Sequence, residues 1–388
     1  MTLEETYSVW MAKHPLTGEL ERLLNKKFTI EYNFNSNHIE GNTLTYGQTE
    51  LLLLFGRVTG GSEVKDYADM KASQVGVEMV KEAVQDKSMP MTQNFIRQLH
   101  KVILREDYTV YRNLPGGLTT SYTIHAGQYK TRPNSVITRY GDRFEYASPE
   151  ETPALMSDLV DWYNRAEQEG KLSPVELAAL FHYRYIRIHP FEDGNGRIAR
   201  LLVNYILARH GWPMIVIRNR NKSQYLEALH KSDMAVGIEP IKGARATKSQ
   251  IAHFMQYFKN TVRNEIQCDI DIIDSFGKDT WWYDGERIKF RSESGSKVLS
   301  LMQANPYITY AEMAANIGIN ISALEKLIGR MKEKGYLERQ AAEKSWYVFA
   351  LSTNLFVCIS FGKPILLDGT ALWYPIQKKC VSLHHEHF

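Results

Sequence analysis

The feature that most constrains the fold is a pair of amphipathic helices joined by one short polar turn. Ser173–Glu176 (SPVE) combines three signals of a helix start: a serine N-cap, proline at the first helical position and glutamate at the third. Apolar residues at three- to four-residue spacing then lead to His189, and a second apolar stripe runs from Ile198 to Ile206. The turn between them is Glu192–Gly196 (EDGNG). These patterns predict a helix–turn–helix unit within a mainly helical chain.

Length and composition indicate a folded protein of two or three domains. The chain has 388 residues, of which 44% are hydrophobic and 23% charged, close to the average for soluble globular proteins. Its 47 lysine and arginine residues against 44 acidic residues leave a net charge of +3. So small a surplus gives no overall electrostatic reason to expect nucleic-acid or membrane binding, and any such role must depend on a local patch.

The cysteine content and the apolar segments indicate in which cellular compartment the protein is expected. The cysteines are Cys268, Cys358 and Cys380, too few and too scattered for a disulfide framework or a zinc site. The N-terminus lacks the basic and apolar regions of a signal peptide, and the longest apolar runs fall short of the ~20 residues that span a bilayer. We therefore expect a soluble, cytoplasmic protein without a membrane partner.

The pattern along the chain divides it into four parts. Residues 1–265 form a predicted helical core, interrupted by a β-hairpin at about 134–147. Residues 266–294 are predicted to be a linker or a small sheet element, and residues 295–350 a separate small domain. Residues 351–388 form a C-terminal tail with no periodicity from which a structure can be predicted.

The small domain has the element order of a winged helix-turn-helix. We predict helices at 297–302 and 310–317, a third helix that opens with a capping box at Ser322, and two strands of a wing at 336–339 and 346–349. The third helix mixes acidic and basic residues, which is a poor match to a phosphate backbone. DNA binding and protein docking therefore both remain open for this domain.

The residues at and after the polar turn are those of a phosphate-transfer site. His189 ends the first helix, and a side chain with an ordinary pKa of about 6.5 suits a general base. Asp193 supplies the hard oxygen ligand that Mg²⁺ accepts beside phosphate oxygens. Gly194–Gly196 leave backbone N–H groups accessible at a helix N-terminus, which favours an anion. Arg197 and Arg200 emerge from one face of the second helix beside this turn. Together they fit a nucleoside triphosphate better than a lone phosphate ester.

The same segment resembles the signature of the Fic (filamentation induced by cyclic AMP) family. His189–Arg200 reads HPFEDGNGRIAR and matches HxFx[D/E]GNGRxxR at every defined position. The resemblance covers roughly residues 30–260, and the winged-helix tail is similar to that of many bacterial Fic proteins. It implies a mainly α, Fic-type helical core with a small β-hairpin flap, followed by a winged helix-turn-helix domain. The flap would bind the target protein through Val136, Ile137 and Thr138.

The resemblance also implies a reaction and a role for each residue. His189 would take the proton from a serine, threonine or tyrosine hydroxyl of a target protein as that oxygen attacks the α-phosphorus of ATP. Asp193 would hold Mg²⁺ against the α- and β-phosphates, and the two arginines would bind the β- and γ-phosphates. The reaction is transfer of AMP to a protein side chain, with self-modification as one outcome. The implied nucleotide-binding residues are Gly194, Asn195, Gly196, Arg197, Arg200 and Tyr225.

A second match to the family lies near the N-terminus. The hexapeptide SNHIEG, which ends at Gly41, fits (S/T)xxxE(G/N), the motif of the family's inhibitory helix, which we place at about 30–41. Ser36 and Glu40 are four residues apart and share a helix face, and the glycine can end the helix. On family precedent, Glu40 would form a bidentate pair with Arg200, so that ATP is held in an unproductive pose.

Several alternatives stay open at this level. Family members often carry a nucleotide-contacting asparagine where this chain has Asp233, so the choice of nucleotide base is open. The competing functions are a DNA-binding transcriptional regulator with a Fic sensor core, and a Fic enzyme that uses another nucleotide or removes AMP. The identity of the target protein and the oligomeric state, including a homodimer, are open as well.

Overall fold

The structure is a computed structural model in which most of the chain is described. The described residues are 1–58, 61–113, 119–137, 143–276, 280–290, 292–305, 307–340, 345–348 and 351–352. Thr138 of the predicted flap and the predicted tail from residue 353 onward lie outside the described residues.

Helices dominate the described chain, as predicted. They are α1 (Leu3–Met11), α2 (Gly18–Ile39), α3 (Tyr46–Phe55), α4 (Val64–Ala83), α5 (Gln93–Leu104), α6 (Thr152–Glu169), α7 (Pro174–Ile188), α8 (Asn195–Arg209), α9 (Lys222–Val236), α10 (Pro240–Ala244), α11 (Ala252–Ser275), α12 (Ser294–Ala304), α13 (Tyr310–Ile317) and α14 (Ile321–Glu333), with a 3₁₀ helix at Asn219–Asn221. Within the parts that the structure describes, none of these helices has both the length and the apolar character needed to cross a membrane.

The strands are short and form small antiparallel sheets. They are β1 (Tyr108–Asn113), β2 (Thr119–Ile124), β3 (Ser135–Ile137), β4 (Arg143–Glu145), β5 (Trp281–Tyr283), β6 (Glu286–Ile288), β7 (Leu337–Gln340), β8 (Ser345–Val348) and β9 (Leu351–Ser352). β1 pairs with β2, β3 with β4 and β7 with β8, whereas β5 lies between β6 and β9.

α7 and α8 form the predicted helix–turn–helix unit in the main core. The Ser173 hydroxyl accepts from the Glu176 N–H, and the Glu176 carboxylate accepts from the Ser173 N–H, so the predicted capping box is present. Both helices are buried along most of their length, and they pack against each other and against α4, α6 and α11. The turn between them is therefore held in place by the largest apolar core of the protein.

Two hairpins contact the junction between α7 and α8. β3 pairs with β4 so that Ser135 lies opposite Glu145, which confirms the hairpin predicted at about 134–147. The predicted flap residues Val136 and Ile137 lie in β3. The β1–β2 hairpin was not predicted, although threonine and tyrosine favour strands, because neither strand carries a clear apolar stripe.

The last part of the described chain has the predicted winged-helix order. α12, α13 and α14 are followed by the β7–β8 hairpin, and α13 has the predicted bounds. α14 is capped by Asn320, whose Oδ1 accepts from the Ala323 N–H, so the predicted capping box at Ser322 is wrong. Asparagine is as good an N-cap as serine, and the helix therefore begins before the predicted position.

The segment 266–294, predicted as a linker or small sheet element, is structured throughout most of its length. α11 runs past the predicted boundary at residue 265 and ends at Ser275, and β5 and β6 form a hairpin. Trp281 packs into the core of the winged helix, and Trp282 packs into a cluster with α2, α3 and α11. Two buried tryptophans give the hairpin enough apolar area to be held on both sides.

Candidate active site

His189 lies where α7 ends and the polar turn begins. Its backbone has a left-handed conformation with φ of 51°, and its N–H donates to the Tyr185 carbonyl. The Tyr146 ring stacks on the imidazole with ring centroids 4.0 Å apart. Residues other than glycine seldom adopt this conformation, and those that do cluster at functional sites.

Asn134, immediately before β3, contacts the imidazole directly. Its Nδ2 lies 2.9 Å from Nδ1 of His189 and donates to the Phe191 carbonyl at 3.0 Å. Lys130 donates to Oδ1 of Asn134 at 2.7 Å. Because the Phe191 carbonyl oxygen can only accept, the amide must direct its NH₂ group toward Phe191 and His189. Nδ1 of His189 is therefore an acceptor, and the proton of the neutral ring lies on Nε2.

The surroundings of His189 keep it uncharged. Burial lowers its pKa to about 3, and the nearby Lys130 acts in the same direction, against the opposing effect of the Asp193 carboxylate. Burial also lowers the pKa of Lys130 to about 7, and its Nζ donates to the carbonyl oxygens of Ile188 and His189 at 3.2 and 2.9 Å. A neutral imidazole has a lone pair that can accept a proton, and His189 is in this form at physiological pH.

Asp193 presents an ionised carboxylate in the turn. The Tyr108 hydroxyl and the Gly194 N–H donate to its two oxygens at 2.8 and 2.6 Å, and Arg197 donates at 3.3 Å. Burial would raise the pKa of Asp193, but Arg197 and the hydrogen bonds outweigh this effect and lower it. The side chain is 44% exposed, so part of the carboxylate remains accessible from solvent.

Asp193 could hold a divalent cation together with ligands that a nucleotide brings. Among the residues that the structure describes, no group of three or more His, Cys, Asp or Glu side chains could bind a metal by itself. Mg²⁺ in nucleotide sites commonly uses one or two carboxylates plus substrate phosphates. The neighbouring Arg197 has a buried Nε without a hydrogen-bond partner in the described chain. A buried cationic donor of this kind can be satisfied by a bound anion. The residues present therefore fit Mg²⁺ that is bound together with phosphate.

Contacts of its own and neighbouring side chains hold the glycine turn in place. Phe191 is fully buried and stacks on His100 with ring centroids 3.7 Å apart, so it anchors the loop. The buried Asn195 accepts from the Phe191 N–H at 3.0 Å and donates to the Phe191 carbonyl at 2.7 Å. Gly194 caps α8 with φ of 77°, and a Cβ there would meet Leu104 at 2.9 Å. The Asn195 amide thus holds the turn together instead of lying open to a phosphate, as the family resemblance had implied.

Arg200 is 2% exposed and contacts the C-terminal end of α2. One of its terminal nitrogens donates to Oε1 of Glu40 at 2.7 Å and to the Ser36 carbonyl at 2.9 Å, and its Nε donates to the Ser36 hydroxyl at 2.9 Å. Glu40 and Arg200 are therefore paired, but through a single nitrogen–oxygen contact and not the predicted bidentate one. Ser36 occupies the Nε position that a second carboxylate oxygen would need.

Gly196 lies directly beneath the Glu40 carboxylate. A Cβ at this position would overlap Oε1 of Glu40 and lie 3.1 Å from a terminal nitrogen of Arg200, so glycine leaves the room that the pair needs. Glu40 caps α2, and Gly41 follows with φ of 97°, which ends the helix as predicted. The Glu40 side chain is 40% exposed, so it covers the turn from the solvent side.

Tyr225 interacts with Arg200 near the turn, whereas Asp233 has partners away from it. Tyr225 is buried, and its hydroxyl lies 2.9 Å from Nε2 of His182. Asp233 accepts from the Tyr183 hydroxyl at 2.7 Å and from Arg187 at 3.3 Å. The contact of Tyr225 with the nucleotide stays a prediction.

Sequence reasoning missed the residues that hold the site from outside the motif. His100 is one of these residues. Its Nδ1 accepts from the Gly127 N–H at 2.9 Å, so its Nε2–H donates to the Asp193 carbonyl at 3.0 Å. For Lys130 and Asn134 the available signal was the polar segment that directly precedes the predicted hairpin. The residues missed are Lys130, Asn134, Tyr108, Tyr146 and His100.

Two regions of this chain, one in the helical core and one in the winged helix, match known protein families. The Fic/DOC family model matches residues 90–207, and a model described as winged helix-turn-helix DNA-binding matches residues 291–338. The crystal structure of a Fic domain-containing signaling protein from Bacteroides thetaiotaomicron is 51% identical, with a TM-score of 0.65. The match covers 70% of this chain and 97% of that one. The chain belongs to the Fic family.

Curated Fic proteins are more distant from this Fic chain, and they are longer. Protein adenylyltransferase fic-1 from Caenorhabditis elegans is 29% identical over 216 residues, which are 55% of this chain and 38% of that protein. Protein adenylyltransferase Fic from Nematostella vectensis is 30% identical over 208 residues, 54% of this chain and 44% of that protein. A solved fragment of Fic-1 from C. elegans, 23% identical with a TM-score of 0.53, supports the fold alone. The chain thus spans less than half the length of these curated relatives.

Proposed function

We propose that this Fic protein transfers AMP from ATP to a serine, threonine or tyrosine hydroxyl of a target protein, and also modifies itself. The proposal rests on one observation: a neutral imidazole, an ionised carboxylate and two arginines converge on a glycine turn at one helix junction. These groups are His189, Asp193, Arg197 and Arg200. Similarity to proteins named protein adenylyltransferase over the same region supports the same reaction.

His189 would act as the general base. As the hydroxyl oxygen of the target attacks the α-phosphorus, its proton passes to the imidazole. A new bond forms between that oxygen and phosphorus, the bond to the β-phosphate breaks, and diphosphate leaves. The basic lone pair lies on Nδ1, the nitrogen that Asn134 now contacts, so an incoming hydroxyl would displace that amide.

The phosphates would be held at the N-terminus of α8. Backbone N–H groups of the glycine turn and the unpartnered Nε of Arg197 are donors suited to phosphate oxygens. Asp193 would hold Mg²⁺, which, when bound, neutralises phosphate charge and polarises a phosphoryl oxygen. Arg200 would complete the set once it is released from Glu40.

We propose further that the resting protein is inhibited by its own helix α2. Arg200 cannot offer its guanidinium group to a γ-phosphate while Glu40 and Ser36 hold it. The Glu40 carboxylate also lies over Gly196, where its negative charge would repel a phosphate. ATP would then bind in a pose that does not lead to transfer.

Asp193→Ala is expected to abolish transfer together with its dependence on Mg²⁺, because the carboxylate held at the turn is lost. Glu192→Ala is the matched control: Glu192 accepts from Thr131 and not from the turn, so this variant should keep its activity. Transfer of labelled AMP is measured against Mg²⁺ concentration for both variants. Full Mg²⁺-dependent activity in Asp193→Ala would show that other groups hold the metal.

Asn134→Ala is expected to lower transfer roughly fivefold with unchanged ATP affinity, since a neutral hydrogen bond contributes about 1 kcal/mol. Without this contact only the longer contact with the Asn195 amide, at 3.3 Å, favours the tautomer with a free Nδ1, so fewer molecules present Nδ1 to the hydroxyl. Nitrogen-15 NMR of labelled histidine distinguishes the two tautomers of the neutral ring. The proton should lie on Nε2 of His189 in the wild type, whereas the variant should show a mixture of the Nε2–H and Nδ1–H tautomers. An identical tautomer in the two proteins contradicts the orienting role of Asn134.

The proposed function is tested by incubating purified Glu40→Gly protein with Mg²⁺ and each labelled nucleoside triphosphate in turn. Labelling is followed by gel and by intact mass. A mass increase of one AMP with ATP supports the proposal, and labelling with another nucleotide alone identifies a different nucleotide specificity. A folded protein that is labelled by none of them, alone or with a cell lysate as target, contradicts a nucleotidyl transferase.

A second candidate function is DNA binding by the winged helix. The observation that favours it is the match of residues 291–338 to a winged helix-turn-helix DNA-binding family. The last turn of α14 carries Arg330 and Lys332, and the same helix also carries acidic residues. A gel shift that weakens steeply with salt would support this role, whereas no shift at low salt would exclude it.

A further inference from the structure

The β5–β6 hairpin belongs at once to the winged helix and to the packing around the inhibitory helix. Trp281 lies in the apolar core of the winged helix, whereas Trp282 packs into the cluster that includes α2 and α3. The Tyr283 ring contacts both sides, with its centroid 4.5 Å from that of Tyr46 in α3 and 5.3 Å from that of Tyr336 beside the wing. A displacement of the winged helix would therefore displace this hairpin from α2 and α3.

The tip of the hairpin also completes a buried polar cluster on α2. The Gly285 N–H donates to Oε1 of Glu31 at 2.7 Å, and Asn35 donates to Asp284 at 2.8 Å. Arg218 joins the two sides, because it donates to Glu31 at 2.9 Å and to Asp284 at 2.7 Å. Glu31, Asn35 and Arg218 are all buried.

This cluster lies on the same helix as the inhibitory residues. Asn35 directly precedes Ser36, and Glu40 caps the helix one turn later. Withdrawing the hairpin would break the contacts of Asp284 with Asn35 and Arg218 and the contact of the Gly285 N–H with Glu31. Loss of these hydrogen bonds to buried groups is unfavourable, so the hairpin and this part of α2 hold their positions jointly. α2 is thus attached to the hairpin at Glu31 and Asn35, and to Arg200 at its end.

We propose that the winged helix controls the inhibition through this hairpin. While the winged helix is docked, the hairpin holds α2 where Glu40 pairs with Arg200. A movement of the winged helix that withdraws the hairpin loosens α2, releases Arg200 and switches transfer on. The activity side of this inference rests on the proposed adenylyltransferase function, whereas the mechanical link between hairpin and helix does not.

Two variants break the link on different sides, in the full-length protein. Asn35→Ala removes the contacts to Asp284 and to the Asn219 N–H, and alanine favours a helix more than asparagine, so a release of α2 cannot come from a weaker helix. Tyr283→Ala removes the ring contacts on Tyr46 and Tyr336. Lys297→Ala is the control, because it breaks only an exposed pair with Glu293, the residue before α12.

Self-modification is expected to rise about fivefold in Asn35→Ala and in Tyr283→Ala, and to stay at the wild-type rate in Lys297→Ala. Added to Glu40→Gly, neither variant should raise the rate further, because the inhibition is already gone. Folded variants that match the wild type, beside an active Glu40→Gly protein, overturn the proposed control. An equal rise in the Glu40→Gly background overturns it too, since the hairpin would then act on something other than inhibition.

Hydrogen exchange keeps the two proposals distinguishable. An inactive Glu40→Gly protein would contradict the proposed transferase function without touching the link between hairpin and helix. That link predicts faster exchange of the backbone N–H groups at 36–41 in Asn35→Ala and Tyr283→Ala than in Lys297→Ala. Equal exchange in all three variants overturns the link whatever the activity.

Discussion

Glu40→Gly is expected to raise self-modification by at least about tenfold over the wild type. Arg200 is buried and donates to the Glu40 carboxylate at 2.7 Å, so removal of the carboxylate frees its guanidinium group for the γ-phosphate. A hydrogen bond to a charged group contributes about 1.5–3 kcal/mol, and the partial exposure of Glu40 favours the lower end of that range, about tenfold. The cost in stability should be small, because Glu40 lies at a helix end where glycine is tolerated.

Two further variants test the cause of that gain. Glu40→Gln keeps the shape and loses the charge, so its rate should lie between those of the wild type and Glu40→Gly. The double variant Glu40→Gly, Arg200→Ala should show no gain, because the freed arginine is the reason for it. Rates are measured as AMP incorporated per protein, with ATP affinity and folding recorded for each variant. A folded Glu40→Gly protein that binds ATP yet modifies itself no faster than the wild type would show that Glu40 does not inhibit.

His189→Ala is expected to lower transfer by about 10²- to 10⁴-fold, the range in which positioned general bases contribute. ATP affinity should be nearly unchanged, because the imidazole acts on the attacking hydroxyl and ATP does not need it for binding. The imidazole contacts Asn134, Tyr146 and, at 3.3 Å, the Asn195 amide, whose other hydrogen bonds go to Phe191.

The decisive measurement for His189 is transfer rate and ATP affinity on the same preparation, in the Glu40→Gly background so that the proposed inhibition does not mask the loss. Retained transfer would assign the base to another group. A parallel loss of ATP affinity would instead indicate that the turn has changed shape, and intact melting behaviour would then be needed to interpret the rate.

Elements with local signals were predicted, and elements held by distant contacts were not. The capping box at Ser173 and the apolar stripe that leads to His189 act within a few residues, and α7 begins and ends accordingly. The length of α11 and the packing of the β5–β6 hairpin depend instead on Trp281 and Trp282, which are buried by residues far away in the sequence. The cap of α14 was placed wrongly because Asn320 and Ser322 are both good N-caps, and packing chose between them.

The amino-acid order alone sets which chemical groups meet at the turn, because His189, Asp193, Arg197 and Arg200 lie within one turn and one helix start, where spacing determines neighbours. It also placed Ser36 and Glu40 on one helix face. Folding decided which distant groups these side chains meet. Glu40 reaches Arg200 across 160 residues.

The contact of Asn134 with His189 spans 55 residues and sets the tautomer of the proposed base, which no local pattern could specify. Folding also turned the expected bidentate pair into a single contact, since Ser36 takes the Nε–H of Arg200, and it committed the Asn195 amide to Phe191. The physical reason is common to all of these: a buried donor or acceptor must find a partner, and packing decides which part of the chain supplies it.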